Sequence, residues 1–569
     1  MRSGFRSITT AFVFASLGVA LPAFSAMREL PASFVHETAE VNAVEMREMA
    51  GIEHLTRSER VAKGGWLGAI GPLKIAEALP ADFDLANSGT WEVLDEGSKL
   101  WRLRIRSPGA RHLNLGFHRF DVPEGAKLWI YNKAGDHVEG PYTRRHRSPR
   151  GQLWTPLIFG SEIVVELYVP AARAAEPIAL EIGAVNHGFL TLGNKQGACN
   201  IDVVCPEGDP WRDEIRSVVR YIISGIFLCT GTLVNNTSLD GTPYILSAAH
   251  CGGTPTNTDS IVVYWNYESP ICGQLGGGDP SMTQNGAIFR ALSDRHDLYL
   301  FEMMALPDPD FDPYYAGWDA TGQVPQSSVS IHHPSWDEKA ISFEDDPAIS
   351  VDVEDLGVAP PAPISWQVRW DQGTTEVGSS GSGLWDATSR LLVGTLWGGE
   401  ASCSFQDGRD FYARFDLAWE GGGTPDSRLR DWLDPIGSGL TQLEGMNPTG
   451  APTCRSSDTE LCLGNRRFRV TAEWHDFMGA SGPARTVATS APDVGVFYFF
   501  RPDNWELLIK VIDGCSYNDN FWVFASGSTN VEYTITVEDT LTGERKIYDN
   551  PLGEPAMAIT DTQAFATCP

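Results

Sequence analysis

"EVGSSGSGLWD", Glu376 to Asp386, sets three serines among three glycines and runs on into "RLLVGTLWGG", Arg390 to Gly399. A flexible linker is low in complexity and polar on both sides. This stretch ends in Leu-Trp and leads to an apolar run that reads as buried strand. A tight glycine turn beside a strand lets the backbone approach a substrate closely, because Gly has no Cβ to hold it off. One of Ser379, Ser380 and Ser382 is therefore a candidate nucleophile at the edge of a β core.

Hydrolysis through serine needs a hydroxyl, a base to take its proton and donors for the oxyanion, and a carboxylate usually fixes the tautomer of the base. His250 is the candidate base. In "YILSAAHCGG", Tyr244 to Gly253, a strand runs into Ala-Ala-His-Cys and leaves the imidazole at the strand end. Asp297 is the candidate carboxylate. In "RHDLYLFEM" it precedes Leu298 and Leu300 alternating with Tyr299 and Phe301, the pattern of a strand entering a core. A carboxylate buried there needs a partner, and His Nδ1–H suits it. Asp294 is a rival carboxylate that lacks the following strand, and His332 and His333 in "IHHP" are rival bases read as packing residues. The order His250, Asp297, Ser380 is that of chymotrypsin-type enzymes. The α/β-hydrolases run Ser, Asp, His, and their G-x-S-x-G elbow fails here because Ser382 stands two after Ser380.

The chain has 569 residues, a formal net charge of -30 and ten cysteines. The length suggests several domains. The acidity argues against nucleic acid as a partner, since such binding rests on Lys and Arg neutralising phosphates. Residues 1–25 read as an export signal, with Arg2 and Arg6 ahead of "ITTAFVFASLGVALP" and small residues in "AFSA". In an oxidising compartment the even cysteine count suggests disulfides. The cysteine spacing fits no zinc knuckle, the acidic runs "FEDDP" and "DVEDLG" fit no EF-hand, and no cofactor or metal is expected.

Composition divides the rest. Residues 26–195 lack cysteine, and "LWRLRIRSPGARHLNLGFHRFDVPEGAKLWIYN" alternates apolar and polar residues between turn signals, as strands do. Residues 196–447 hold six cysteines among many short strands, expected to form a barrel or sandwich. They close with "DSRLRDWLDP", where Leu429, Trp432 and Leu433 at helical spacing predict a terminal amphipathic helix. "GMNPTGAPT", Gly445 to Thr453, reads as a linker. Residues 454–569 read as a small β-sandwich whose four cysteines allow three pairings.

"AAHC" and "GSSGSG" resemble the His and Ser motifs of trypsin-like serine proteases. "CNIDVVCPEGD", "CTGTLVNNT", "SIVVYWNYESPIC", "IHHP", "TTEVGSSGSGLWD" and "SRLRDWLDP" resemble, in the same order, the bacterial lysyl endopeptidase group within them. The resemblance implies an all-β chain: a double β-barrel, chymotrypsin-like protease domain with a C-terminal helix, preceded by a β-rich propeptide. It implies Ser380 as nucleophile and the N–H groups of Gly378 and Ser380 as the oxyanion hole. In "LWGG" it implies Trp397 as pocket wall and Gly398 as an opening for the side chain; Trp397 stands where the lysyl enzymes commonly have His. In "GRDFYARF" it implies Asp410 at the base of the S1 pocket, favouring Lys or Arg at P1. It implies the disulfides Cys199–Cys403, Cys205–Cys272 and Cys229–Cys251.

The group is made as a precursor, so the resemblance further implies self-cleavage between Lys195 and Gln196, with the propeptide as folding aid or inhibitor. The basic "RRHRSPRG", Arg144 to Gly151, would complement an acidic mature surface. Protein or peptide substrates are the expected partners, outside a bacterial cell. The last region resembles a β-rich repeat appended to bacterial secreted proteins, for which contact with a surface or polymer is one role. The alternative is a catalytically weak or inactive protease-fold binding or adhesion protein acting through that last domain. All three triad positions are filled, which favours the enzyme.

Overall fold

The strand Lys99–Arg106 shows how the first region is built. Its sequence alternates, and Trp101, Leu103 and Ile105 enter one core with Leu115, Phe117, Ile130 and Val165. Arg102 and Arg104 on the opposite face are buried as well. Each is tolerated there because it is paired: Arg102 Nε donates to Glu92 Oε1 at 3.1 Å, and Arg104 Nε donates to Glu162 Oε1 at 2.8 Å. A six-stranded and a five-stranded sheet enclose this core.

The structure is a computed structural model, and it describes residues 29–51, 71–94, 96–190, 196–448, 454, 457, 459–464, 467–487 and 493–568. The export signal, Lys195 and the second half of the linker lie outside the described residues. The chain divides into a unit spanning Leu30–Ala451 and a unit containing Pro452–Pro569.

Within the first unit, residues from Gln196 onward form two more sheets, almost wholly antiparallel. The eight-stranded sheet carries Val218–Ile223, Phe227–Val234, Tyr244–Ser247, Val262–Tyr264 and Leu298–Met303. The ten-stranded sheet carries Ser328–His332, Ala340–Glu344, Ile364–Val368, Gly383–Asp386, Leu392–Gly399 and Asp410–Arg414. Val218, Leu246 and Leu300 of the first meet Trp318, Ile331, Trp385 and Leu392 of the second in a shared core. This is the β-rich, chymotrypsin-like arrangement. The amphipathic helix comes down to one turn, Arg430–Leu433. Leu429 and Leu433 do bury in the shared core. Pro435 restricts the backbone of Asp434 and ends the helix there.

The first region packs against the eight-stranded sheet. Strand Leu73–Lys74 pairs antiparallel with Phe227 and Leu228. Leu73, Ile75 and Leu157 share a core with Ile222, Leu228, Tyr264 and Trp336. The Leu157 N–H donates to the Tyr264 hydroxyl at 2.8 Å. From the basic stretch, Arg150 Nε and Ser148 Oγ donate to Asp259 Oδ2 at 2.9 and 3.0 Å. Its Arg147 instead pairs with Asp121 of the first region itself.

In the second unit two five-stranded sheets enclose one core, which includes Phe468, Val470, Phe497, Ile509, Val523 and Val537. Strand Glu532–Asp539 buries every second residue, as a half-covered strand should. Of the three possible pairings, the cysteines form Cys454–Cys462 and Cys515–Cys568.

Candidate active site

His250 sits in a short turn just after strand Tyr244–Ser247, and Asp297 immediately precedes strand Leu298–Met303. The two strands are neighbours, so their ends meet. Asp297 is 2% exposed and adopts φ +44, a left-handed conformation that Asp tolerates better than most residues. Its carboxylate takes two bonds from one residue: the His250 N–H donates to Oδ1 at 2.9 Å, and His250 Nδ1 to Oδ2 at 2.8 Å. The second bond places the imidazole proton on Nδ1 and leaves the Nε2 lone pair able to accept a proton. Nε2 is buried and makes no hydrogen bond. Asp294 is exposed and plays no part in this pair.

Ser380 lies in the turn before strand Gly383–Asp386 of the other sheet, and it is 7% exposed. The turn is clamped at its main chain: the Thr230 N–H donates to Ser380 O at 2.9 Å, and the Gly381 N–H to Leu396 O at 2.9 Å. Gly381 has φ +81, and a Cβ there would collide with Ser247 Oγ and the Thr230 carbonyl. Only glycine lets this turn press so closely on the strand that leads to His250. The Cys229–Cys251 bridge ties the neighbours of Thr230 and His250 together. The structure thus gathers His250, Asp297 and the Ser380 turn at one seam between the sheets. The Nε2–Ser380 hydrogen bond is not formed; such bonds are often loose without substrate and tighten in the reacting complex.

Gly378, φ +104, has its carbonyl held by Thr230 Oγ1 at 2.9 Å, which fixes the peptide planes of the turn. Ser379 points elsewhere: its hydroxyl meets His332 Nδ1 at 2.8 Å, while His332 Nε2 meets Ser342 Oγ at 3.1 Å. Burial pushes His332 down to about 3, so it is a neutral brace rather than a base. His333, also buried, is held well below the usual histidine range and meets the Asp337 carbonyl at 3.1 Å.

Asp410, 0% exposed, opens strand Asp410–Arg414 and pairs with Gly399 of strand Leu392–Gly399. Its Oδ2 accepts from Trp370 Nε1 and from Thr375 Oγ1, both at 2.7 Å. Its Oδ1 is buried as well, on the side of the Ala401 main chain. Burial pushes this carboxyl up to about 6, against the opposing effect of those two donors and of the Ala401 main-chain N–H. A Cβ at Gly399 would strike Oδ1 and the Arg409 carbonyl, so only glycine lets the carboxylate pack against this strand. Trp397 packs edge-on against Phe411 at 6.4 Å, and Gly398 pairs with Phe411. The nearby Glu400 is engaged with Arg409 at 3.1 Å, and Asp407 is exposed. Trp370 and Thr375 carry no local sequence signal; Thr375, five residues before Ser380, ties Asp410 to the segment that leads into the Ser380 turn.

Disulfides join Cys199 to Cys403 and Cys205 to Cys272. With Cys229–Cys251 they account for all six cysteines of residues 196–447.

Two family models match the chain: the lysyl endopeptidase N-terminal domain over residues 48–189, and the lysyl endopeptidase C-terminal domain over residues 193–413. A lysyl endopeptidase of Pseudomonas aeruginosa is 26% identical over 362 residues, covering 58% of this chain and 76% of that protein. Among solved structures, the NS6 protease from murine norovirus 1 aligns with a TM-score of 0.21 and 9% identity, covering 34% of this chain and 89% of that one.

Proposed function

This chain belongs to the lysyl endopeptidase family, and from that premise we propose that it is a secreted serine endopeptidase cutting peptide bonds after lysine, with arginine as the second choice. The carrying observation is the His250–Asp297 pair gathered with the Ser380 turn, together with a fully buried Asp410 held by Thr375, five residues before Ser380. A buried carboxylate is the complement of an ammonium group at P1.

The steps follow from the geometry. A P1 lysine reaches Asp410 and sets the scissile carbonyl over Ser380. Ser380 Oγ attacks that carbon while His250 Nε2 takes its proton, and Asp297 steadies the imidazolium that forms. The N–H groups of Gly378 and Ser380 receive the oxyanion, each such donor contributing roughly 3 kcal/mol to the transition state. His250 then protonates the departing amine, leaving an acyl-enzyme on Ser380. A water, deprotonated by His250, releases the acid and restores the hydroxyl.

The proposed layout is export signal 1–25, propeptide 26–195, protease 196–447 and accessory domain 454–569. Five disulfides support an oxidising, extracellular destination. The proposed self-cleavage after Lys195 would release the propeptide, whose seat beside Phe227 and Asp259 suits a folding aid or inhibitor. A serine-directed phosphonate tests the reading: it should label the secreted protein and leave Ser380→Ala unlabelled and unprocessed. No labelling of wild type would turn the case toward a binding protein.

A further inference from the structure

We propose that the peptide bond Lys133–Ala134, in a surface turn of residues 26–195, is a second self-cleavage site, and that its hydrolysis takes the propeptide apart once the first cut has been made. The inference rests on the reading that the chain is a lysine-directed serine endopeptidase freed by cleavage after Lys195.

An enzyme that cuts after lysine must spare its own protease domain while it removes its propeptide, and the lysines are placed accordingly. Residues 196–447 hold one lysine, Lys339. It is 0% exposed, as is Ala340 after it, and its Nζ donates to the Ile215 carbonyl and pairs with Glu268, both at 2.7 Å. Residues 26–195 hold Lys63, Lys74, Lys99, Lys127, Lys133 and Lys195. Lys63 and Lys195 lie outside the described residues. Lys74, Lys99 and Lys127 each lie in a strand and precede the fully buried Ile75, Leu100 and Leu128. In the second unit, Lys510 precedes the buried Val511, and Lys546 is held in strand Arg545–Asn550, which pairs with Glu532–Asp539. Lys133–Ala134 is different: it lies in a turn, and both residues are exposed. Among the described residues it is the one bond after lysine of which this holds.

The turn joins strand Lys127–Asn132 to strand Val138–Tyr142. Asn132 Oδ1 braces it by accepting the N–H groups of Gly135 and Asp136 at 2.9 and 3.2 Å. The Lys133 ammonium reaches Glu162 Oε2 at 3.4 Å, and Glu162 is also paired with Arg104. A protease takes its substrate as an extended segment, so a folded chain is cut where it opens most often. Turns open at little cost, whereas a strand within a sheet opens only with much of the fold. The cut at Lys133 should therefore outrun those at Lys74, Lys99 and Lys127 by at least about a hundredfold. In that cut Ser380 attacks the Lys133 carbonyl carbon, and its proton passes through His250 to the departing Ala134 nitrogen. Water then frees Lys133 as a carboxylate and restores the serine. The consequence lies in the core, which takes Trp101, Leu115 and Ile130 from before the cut and Ile163, Val165 and Ile182 from after it. The docked residues divide as well, Leu73 and Ile75 before the cut and Leu157 after it. No disulfide can hold the pieces together, because residues 26–195 contain no cysteine. After both cuts, neither piece is tethered to the other or to the protease, and dilution separates them. Pieces that come away lose their core and present Lys74, Lys99 and Lys127 to the enzyme, which makes the release one-way.

The test uses the full chain carrying Ser380→Ala, which cannot cut itself, as the substrate. A trace of mature wild-type enzyme is added, and the fragments are identified by mass spectrometry over time. The same chain with Lys133→Gln or Lys133→Arg is run beside it, with thermal unfolding of each; Lys133 is exposed, so all three should unfold alike. Pieces ending at Lys133 and beginning at Ala134 should appear before any produced at Lys74, Lys99 or Lys127, while residues 196–447 stay whole. Lys133→Gln should delay loss of the propeptide by at least about tenfold and leave the cut after Lys195 unchanged. Lys133→Arg keeps the charge beside Glu162, so it should slow the cut by the same factor by which arginine slows cleavage of a short peptide. A Lys133–Ala134 bond that survives while the propeptide disappears, or a Lys133→Gln chain that loses its propeptide at the original speed, would overturn the proposal and leave the lysyl endopeptidase reading intact. A wild-type enzyme that cuts no short lysyl peptide would refute that reading, and this proposal with it.

Discussion

Replacing Asp410 by Asn removes one negative charge from the pocket floor and keeps its shape. Asn Oδ1 can still accept from Trp370 and Thr375, the two donors that hold Asp410 Oδ2 at 2.7 Å. What changes is the other oxygen, which an amide NH2 replaces. A lysine ammonium entering the variant is desolvated without a counter-charge, which costs roughly 3–5 kcal/mol. At 1.4 kcal/mol per decade, kcat/KM for a P1 lysine peptide should fall by about 100- to several thousand-fold. A matched P1 methionine peptide should change by less than about threefold, because the triad is untouched. The ratio of the two peptides also isolates the pH effect, since titration of the triad cancels. In wild type the lysine preference should be lost as pH falls through about 6, where the empty pocket's carboxyl protonates. Stability runs the other way. A carboxyl raised on folding favours the folded state most at pH below its ordinary 3.8, and that contribution disappears as pH rises through about 6. The difference amounts to roughly 3 kcal/mol, so Asp410→Asn should unfold at higher temperature than wild type at pH 8 and nearly alike at pH 4. Equal losses on lysine and methionine peptides, or a variant less stable than wild type at pH 8, would refute the pocket assignment.

Further outcomes can be checked with the same peptides. Ser380→Ala should lower kcat by about a millionfold and abolish phosphonate labelling, with unchanged thermal unfolding. Asp297→Asn should cost about 10⁴ in kcat, since the amide favours the wrong imidazole tautomer; a loss below about tenfold would remove Asp297 from the triad. Gly399→Ala should raise KM for lysine peptides by displacing Asp410 and the Arg409 carbonyl, and an unaltered KM would show that Asp410 does not contact substrate. Asp259→Asn should weaken inhibition by added propeptide at least about fivefold, since even a half-exposed ion pair contributes about 1 kcal/mol and Ser148 shares the buried carboxylate.

Much of the site could be read because its residues mark strand ends. His250 and Asp297 are polar residues at the ends of apolar alternations, and the Ser380 turn betrays itself by glycines that must accept positive φ. The strands themselves follow from alternation, as in Glu532–Asp539. What stayed hidden depends on which strand lies beside which. Trp370 and Thr375 reach Asp410 across 40 and 35 residues of chain, and no local pattern announces such a contact. Arg102 and Arg104 look like a solvated face in sequence, yet ion pairs allow both to be covered. The closing helix is a single turn, because spacing reports a buried face and not its length; Pro435 sets the length.

The most direct test is digestion of a denatured protein of known sequence by the purified secreted chain, with peptide ends read by mass spectrometry beside Ser380→Ala. The account predicts new C-termini at lysine, with arginine as the only minor class, and none with the variant. Cuts after apolar residues, or the same cuts from Ser380→Ala, would contradict it.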